Sequence, residues 1–359
     1  MDYWIFIPVL LLTLIGLYVM SHVLQAGYGS GVWPSNFMKQ LGAAMVGILI
    51  ALFVALMDGP SLRLLAGLVY GISLLLLIYV KIDHFYLQGP GGADSWIRLP
   101  LIGTFQPSEL AKVGIAMMAA GYFAQMKEGS ISYLRGMTAI FFIYALPLFL
   151  IYREPDFGTA FVIIMMFFTT LFIWGISWRY ILGAAALMAA AIPLLWFFYF
   201  SPYQKDRILP LLFPGLTDNY NVDQAMKAIA AGGLSGSRTG VDVPVPVKES
   251  DFIFSAVGEK LGFIGTSLVI FCVAVFLFRL LYICWKLTEV EPEYAYLLAA
   301  LFANLSFHFV ENIGMNVGLL PVTGIPLPFI SNGGTSMIVN YFALGLILSA
   351  SMDLKARSS

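Results

Sequence analysis

Gly262–Trp285 reads GFIGTSLVIFCVAVFLFRLLYICW, a run in which Arg279 is the only charge. A helix needs roughly 20 apolar residues to cross the hydrocarbon core of a bilayer, and this stretch exceeds that length. Working outward from it, apolar runs bounded by turn signals give ten candidate spans, at 4–24, 39–57, 64–80, 107–124, 137–151, 158–175, 180–200, 262–285, 294–313 and 334–352. The expected fold is therefore an all-α polytopic membrane protein with one integral membrane domain over 1–359. It has a long external loop at 201–261, between the seventh and eighth spans. Met1-Asp2 offers no basic stretch and no small-residue cleavage site follows, so the first span reads as a retained helix.

Composition agrees. Of the 359 residues 60% are hydrophobic and 11% charged, and the mean hydropathy is +0.87, more apolar side chain than one soluble core of this size buries. Ten crossings take about 200 residues, which excludes a receptor with a large soluble domain. The 29 Phe, 18 Tyr and 7 Trp exclude a disordered chain. Nineteen Lys and Arg against twenty Asp and Glu give a net charge of -1, so no polyanionic partner such as nucleic acid is indicated. Cys272 and Cys284 stand twelve residues apart in one run, roughly 18 Å on a helix, too far for a disulfide.

An even number of spans puts both termini on one side. With the termini inside, the inner segments hold eight basic residues (Arg63, Lys127, Arg135, Arg179, Arg279, Lys286, Lys355 and Arg357) and the short outer ones hold four (Lys39, Lys81, Arg98 and Arg153). Basic residues favour the cytoplasmic side, so the segments 81–106, 201–261 and 314–333 are expected on the outer face, where the chemistry should lie. Within the long loop, Asn221–Leu234 reads as a short amphipathic helix ending at Gly232-Gly233, expected along the membrane surface.

Charged groups at membrane depth each cost roughly 2.5–3.5 kcal/mol on insertion scales, so each needs a partner or a function. Glu109 and Lys112 share one helix face with opposite charge, with Pro107 in the first turn and Gln106 or Ser108 as a cap. A structural ion pair and a cavity-lining pair that meets a charged substrate both fit. Arg153, Glu154 and Asp156 crowd one short connection, where capping of the next helix explains Asp156 but not its two neighbours. Asp251 follows Lys248, Glu249 and Ser250 and lies beside Phe252 and Phe254, where the long loop returns to the membrane. Desolvation by the rings should raise the proton affinity of such an acid and a nearby Lys lower it, the tuning a general base needs. An interfacial acid with no role is the plain alternative. Gly314–Thr335 contains three prolines and five glycines and no charge. Apolar, non-helical backbone at a membrane is tolerated when buried in protein or lining a cavity, so a re-entrant loop is expected before the last span. His22, His84 and His308 are isolated and show no metal-ligand spacing.

Taken together, QPSELAK (106–112), EPDFGTA (154–160), AIAAGGLSG (228–236), SDFIF (250–254), GEKLGFIG (258–265) and GLLPVTGIPLPFIS (318–331) resemble the shape, elongation, division and sporulation family, the bacterial cell-wall glycosyltransferases of the RodA and FtsW type. GISWRY (175–180) leans toward the elongation branch. The resemblance implies ten transmembrane helices with both ends in the cytoplasm. It also implies a peptidoglycan polymerase of the bacterial cytoplasmic membrane that acts on lipid II at the outer face, alongside a class B penicillin-binding protein and other elongation proteins. Asp251 occupies the position of the family's proposed catalytic acid. Val247, Glu249 and Ser250 depart from the usual residues before that acid, Ser95 stands where Arg is common, and the usual Ser-Tyr-Gly-Gly-Ser-Ser appears as Ser331-Asn332-Gly333-Gly334-Thr335-Ser336.

The chemistry this implies is attack by a sugar 4-hydroxyl on an anomeric carbon that carries a polyprenyl diphosphate. Asp251 would remove the hydroxyl proton, with inversion. Arg98, Lys112 and Arg153 would steady the diphosphate, and Glu109 would hold Lys112. Glu154, Asp156, Lys248, Ser250, Ser331, Gly333 and Gly334 complete the expected substrate site. No ligand cluster predicts a metal, although a divalent cation on the diphosphate is compatible with the reaction. A lipid II flippase is the alternative from another class, and a non-catalytic scaffold the third. A flippase needs polar groups along the whole crossing, whereas here they gather at the outer ends of the spans.

Overall fold

The computed structural model describes residues 2–25, 34–82, 86–88, 94–99, 103–154, 156–198, 205, 209, 220–237 and 242–358. Ten long helices occupy the ten apolar runs: α1 (Tyr3–Gln25), α2 (Ser35–Ala55), α3 (Gly59–Ile82), α4 (Pro107–Lys127), α5 (Tyr133–Tyr152), α6 (Phe157–Trp174), α7 (Trp178–Phe198), α9 (Ile253–Val290), α10 (Pro292–Asn316) and α11 (Gly334–Ser358). The short α8 (Tyr220–Ala231) precedes α9. Among the described residues, α1, α2, α3, α5, α6, α9, α10 and α11 are eight that are long and apolar enough to cross a membrane. The tenfold expectation of the sequence thus stands in the helices themselves, with α4 made polar by Glu109, Lys112 and Lys127. It packs against α3, α5 and α10, which bury nearly its whole length. That cover is what allows a membrane helix to keep an ion pair.

Two features depart from the sequence reading. Part of the connection 81–106 is a small antiparallel sheet, β1 (Tyr86–Gln88), β2 (Asp94–Leu99) and β3 (Gly103–Phe105), in the order β1-β2-β3. Leu87 pairs with Trp96, and Arg98 with Thr104. The sheet is tied to the helices where Thr335 Oγ1 donates to the Thr104 carbonyl (2.6 Å). The second concerns the expected amphipathic helix, which is present as α8. Its apolar face, Val222, Ala225 and Ala228, packs on Val245 and Phe252, so protein rather than lipid covers that face.

The glycines of 228–236 and 258–265 form one joint. Gly262 interrupts α9 with φ 65°, ψ -158°, and frees backbone groups there. The turn after α8 takes them up: Phe263 N donates to Gly233 O (2.9 Å), Ile264 N to Leu234 O (3.1 Å), and Ser237 N to Glu259 O (2.8 Å). A Cβ at Gly232 would land on the Gly258 carbonyl oxygen, and one at Gly236 on that of Lys260.

At the end of the molecule that carries both termini, Asp2 Oδ2 accepts from Arg279 Nη2 (2.7 Å) and from Ser351 Oγ (2.9 Å), joining α1, α9 and α11. Arg63 pairs with Glu293 (2.6 Å) and Arg357 with Glu291 (2.7 Å) at this same end.

Candidate active site

Residues 317–333 contain no regular helix, and Leu327 to Ser331 are buried. Phe329 anchors them. It takes φ 65°, is 1% exposed, and sets its ring edge-on to Phe276 and Tyr341. This segment lies against the turn that carries Asp251, and side chains from α10, from α2 and from the segment itself hold the assembly together. His308, Asn312 and Asn316 stand four residues apart on one face of α10. Asn312 Nδ2 donates to the carbonyls of Asp251 (2.9 Å) and Ile325 (2.8 Å). Asn316 Nδ2 donates to the same Asp251 carbonyl (3.2 Å), and its Oδ1 accepts from Ser255 N (3.0 Å) at the start of α9.

Ser331 Oγ donates to Ser250 O (2.7 Å) and accepts from Leu327 N (2.8 Å), while Asn332 N donates to Glu249 O (2.9 Å). From α2 the buried Gln40 closes the set. Its Nε2 donates to Ser331 O (2.8 Å) and its Oε1 accepts from Gly333 N (3.0 Å), one residue before Gly334 opens α11. Asp251 is half-buried on this platform. Ser250 Oγ donates to its Oδ1 (3.1 Å), and a Cβ on Gly324 would stand 3.5 Å from its Oδ2. The carboxyl thus sits beside the loop, with Phe252 and Phe254 buried behind it at 2% and 3% exposure.

A second group gathers where α4, α6 and α10 meet. Lys112 Nζ donates to Glu109 Oε1 (2.9 Å) and lies 2.7 Å from His308 Nε2, all three groups buried. His308 Nδ1 is 3.4 Å from the Pro326 carbonyl. An ammonium can only donate, so Nε2 accepts and Nδ1 carries the ring proton toward Pro326. Asp156 caps α6, accepting from Thr159 N (3.0 Å) and Thr159 Oγ1 (2.8 Å), and also accepts from Gln106 Nε2 (3.1 Å). Burial pushes the Asp156 pKa up. The Thr159 bonds and the Lys112 charge pull it down, and the Glu109 charge pushes it up. Gln106, expected to cap α4 with its side chain, turns it to Asp156 instead and contributes no side-chain cap. Pro155 lies outside the described residues.

The other expected site residues fall in different places. Glu154 is completely buried, while Arg153 is exposed at the C-cap of α5. Lys248 is buried and spends its ammonium on Glu259 and on the Val243 carbonyl (3.1 Å), an internal tie from the Asp251 turn to α9. The Arg98 side chain lies outside the described residues. Among the described residues no group of three or more His, Cys, Asp or Glu is placed to hold a metal ion. Both cysteines are buried and free. Sequence reasoning missed Gln40, His308, Asn312 and Asn316. The four-residue spacing on α10 was the available signal, but three neutral polar side chains on a helix look like ordinary packing until their acceptors are known.

The FTSW_RODA_SPOVE family model, described as cell cycle protein, matches residues 2–356. The chain is 30% identical over 352 residues to the peptidoglycan glycosyltransferase MrdB of Escherichia coli strain K12, covering 95% of this chain and 92% of that one. It is likewise 30% identical over 359 residues to the probable peptidoglycan glycosyltransferase FtsW of Polynucleobacter necessarius, covering 96% and 84%. Among solved structures, a chain from work on the coordination of polymerization and crosslinking by a peptidoglycan synthase complex superposes with a TM-score of 0.79. It is 26% identical, with 98% of both chains covered. The crystal structure of the Thermus thermophilus rod shape determining protein RodA gives 0.70 at 26% identity, covering 98% of this chain and 97% of that one. With ten long helices, that coverage and the ordered motifs around Asp251, this multi-pass membrane protein belongs to the FTSW_RODA_SPOVE family of cell cycle proteins.

Proposed function

We propose that the chain is a peptidoglycan glycosyltransferase that polymerises lipid II, with Asp251 as its general base. The observation that carries the reading is the platform. Six side-chain hydrogen bonds from Gln40, Asn312, Asn316 and Ser331 hold the backbone around a half-buried carboxyl, in a chain whose relatives bear that enzyme name. A sugar hydroxyl is a poor nucleophile at neutral pH, and a fixed carboxylate that takes its proton contributes roughly 10²–10⁴-fold. The neutral amides act on backbone carbonyls, while the carboxyl itself accepts from Ser250 Oγ at Oδ1. The 4-hydroxyl loses its proton to Asp251 as its oxygen bonds to the anomeric carbon of the second disaccharide. The bond to the diphosphate oxygen breaks with inversion, and polyprenyl diphosphate departs carrying the additional negative charge. Lys112, Arg153 and Arg98 supply positive potential to that group. Glu109, Glu154, Asp156, Ser250, Gly333 and Gly334 shape the surrounding wall. Lys248 acts at one remove, through Glu259, on the turn that bears the base.

Buried ionisable side chains support a polymerase over a flippase. Among the described residues they cluster at the Asp251 end and at the termini end, with no charged ladder between. We place the termini on the cytoplasmic side and Asp251 outside, because Arg63, Lys127, Arg279, Lys286, Lys355 and Arg357 lie at the termini end. A class B penicillin-binding protein is the proposed partner, since the superposing chain comes from a synthase complex that also crosslinks. The prenyl tail lies in the lipid-facing apolar surface. The test uses purified chain and labelled lipid II in detergent. Wild type should build glycan strands, and Asp251→Asn should make none while it unfolds at the wild-type temperature. Undiminished product from the variant removes Asp251 from the role.

A further inference from the structure

His308 is not among the residues the proposed chemistry uses, yet it joins the site's two halves. Its Nε2 meets the Lys112 ammonium at 2.7 Å on one side. On the other, Nδ1 faces the carbonyl of Pro326, which adjoins Ile325, the residue bound by Asn312 together with Asp251. The imidazole therefore spans from the cation on α4 to the loop that flanks the base. Lys112 forms a neutral pair with Glu109. What that pair contributes at a distance depends on which end faces the reaction, so orientation rather than net charge decides its effect. Glu109, one turn before Lys112 on the same helix, cannot alone fix the direction of a four-carbon side chain. A rigid acceptor on a second helix can.

We propose that His308 is a positioning residue that orients the Lys112 ammonium toward the departing diphosphate and ties it to the Pro-rich loop. The inference rests on the reading of Lys112 as a diphosphate-facing cation. Chemistry offers a sharp comparison. The side-chain amide of Gln reaches as far as Nε2 and can accept from Lys112. That of Asn reaches only as far as Nδ1 and cannot, although it can still donate to Pro326.

The variants are His308→Gln, His308→Asn, Lys112→Met and the double variant Lys112→Met/His308→Asn, each checked for an unchanged unfolding temperature. Negative charge on the diphosphate is greater in the product than in lipid II, so loss of an oriented cation should appear in kcat and in product affinity more than in donor KM. His308→Asn, which misdirects the cation without removing it, should lose about 10- to 100-fold in kcat, less than the roughly 10²–10³ that removing a charge-stabilising group costs, with donor KM within about threefold. His308→Gln should stay within about threefold of wild type in both, and the double variant should be no worse than Lys112→Met. Binding of undecaprenyl diphosphate, followed by calorimetry, should weaken in the Lys112→Met and His308→Asn proteins and keep its wild-type strength in His308→Gln.

Equal kcat in His308→Asn and wild type overturns the proposal, as does a His308→Gln as impaired as His308→Asn, or losses that add in the double variant. A wild type that builds no glycan overturns the polymerase reading, and the diphosphate affinities then decide the role of His308 by themselves.

Discussion

Val247 holds φ at 53°, four residues before the proposed base, in a turn closed by Ser250 N and Phe252 N on its carbonyl. A β-branched residue there carries strain of roughly 1–2 kcal/mol, and its side chain is 49% exposed, so little packing compensates. Asn tolerates this region, and Val247→Asn should therefore raise stability by about 1 kcal/mol, read as a higher unfolding temperature in detergent. A lower temperature would mean that the side chain makes a contact worth more than the strain. Asp251 was legible from the sequence as a candidate base, because a carboxyl beside two Phe at the end of a long polar loop needs a reason to be there. The roles of Lys248 and His308 were not. Nearness along the chain suggested that Lys248 attends Asp251, yet its ammonium pairs with Glu259 on the following helix. His308 showed no neighbour of its own kind, and its partner lies 196 positions away.

Helix positions were readable because a membrane span is a length requirement, and length survives errors at the ends. The small sheet was not, since strands of three to six residues set among Gly and Pro carry too little alternation to stand out. The joint between α8 and α9 lies between these cases. The glycines were visible as motifs, but not that Gly232, Gly236 and Gly262 each make room for a carbonyl of the other segment. Gly232→Ala would put a methyl against the Gly258 carbonyl and should unseat α8. Its measure is hydrogen exchange at Ser237, Phe263 and Ile264, whose amide bonds cross the joint and should lose protection together while those of α11 keep it. Unchanged exchange at all three would show that the joint yields by a small shift instead.

At the scale of the whole chain, each end is held by one side chain that joins separate segments. At the termini end Asp2 lies below the ordinary carboxylate range: burial raises its pKa, but hydrogen bonds from Arg279 and Ser351 and the charges of Arg279 and Lys355 lower it further. A depressed folded value means that the stabilisation is fully present above the unfolded value, near pH 4, and is lost as the pH falls through the folded one. Asp2→Asn should lower stability at pH 7 by about 1–3 kcal/mol, the worth of hydrogen bonds to a charged group. It should also flatten the decline in unfolding temperature as the pH falls from about 5 to about 3, and an identical decline in both proteins would rule the pair out as its source. At the opposite end, one primary amide spans two strands of the machinery: both hydrogens of Asn312 are committed, one to the turn and one to the Pro-rich segment. Two such bonds together hold roughly 1–3 kcal/mol, and the bonds from Ser331 Oγ to Ser250 O and from Asn332 N to Glu249 O hold the same two pieces together directly. In the proposed site, incoming sugar thus meets a floor that travels as one piece, and whatever admits a growing polymer has to open along another wall.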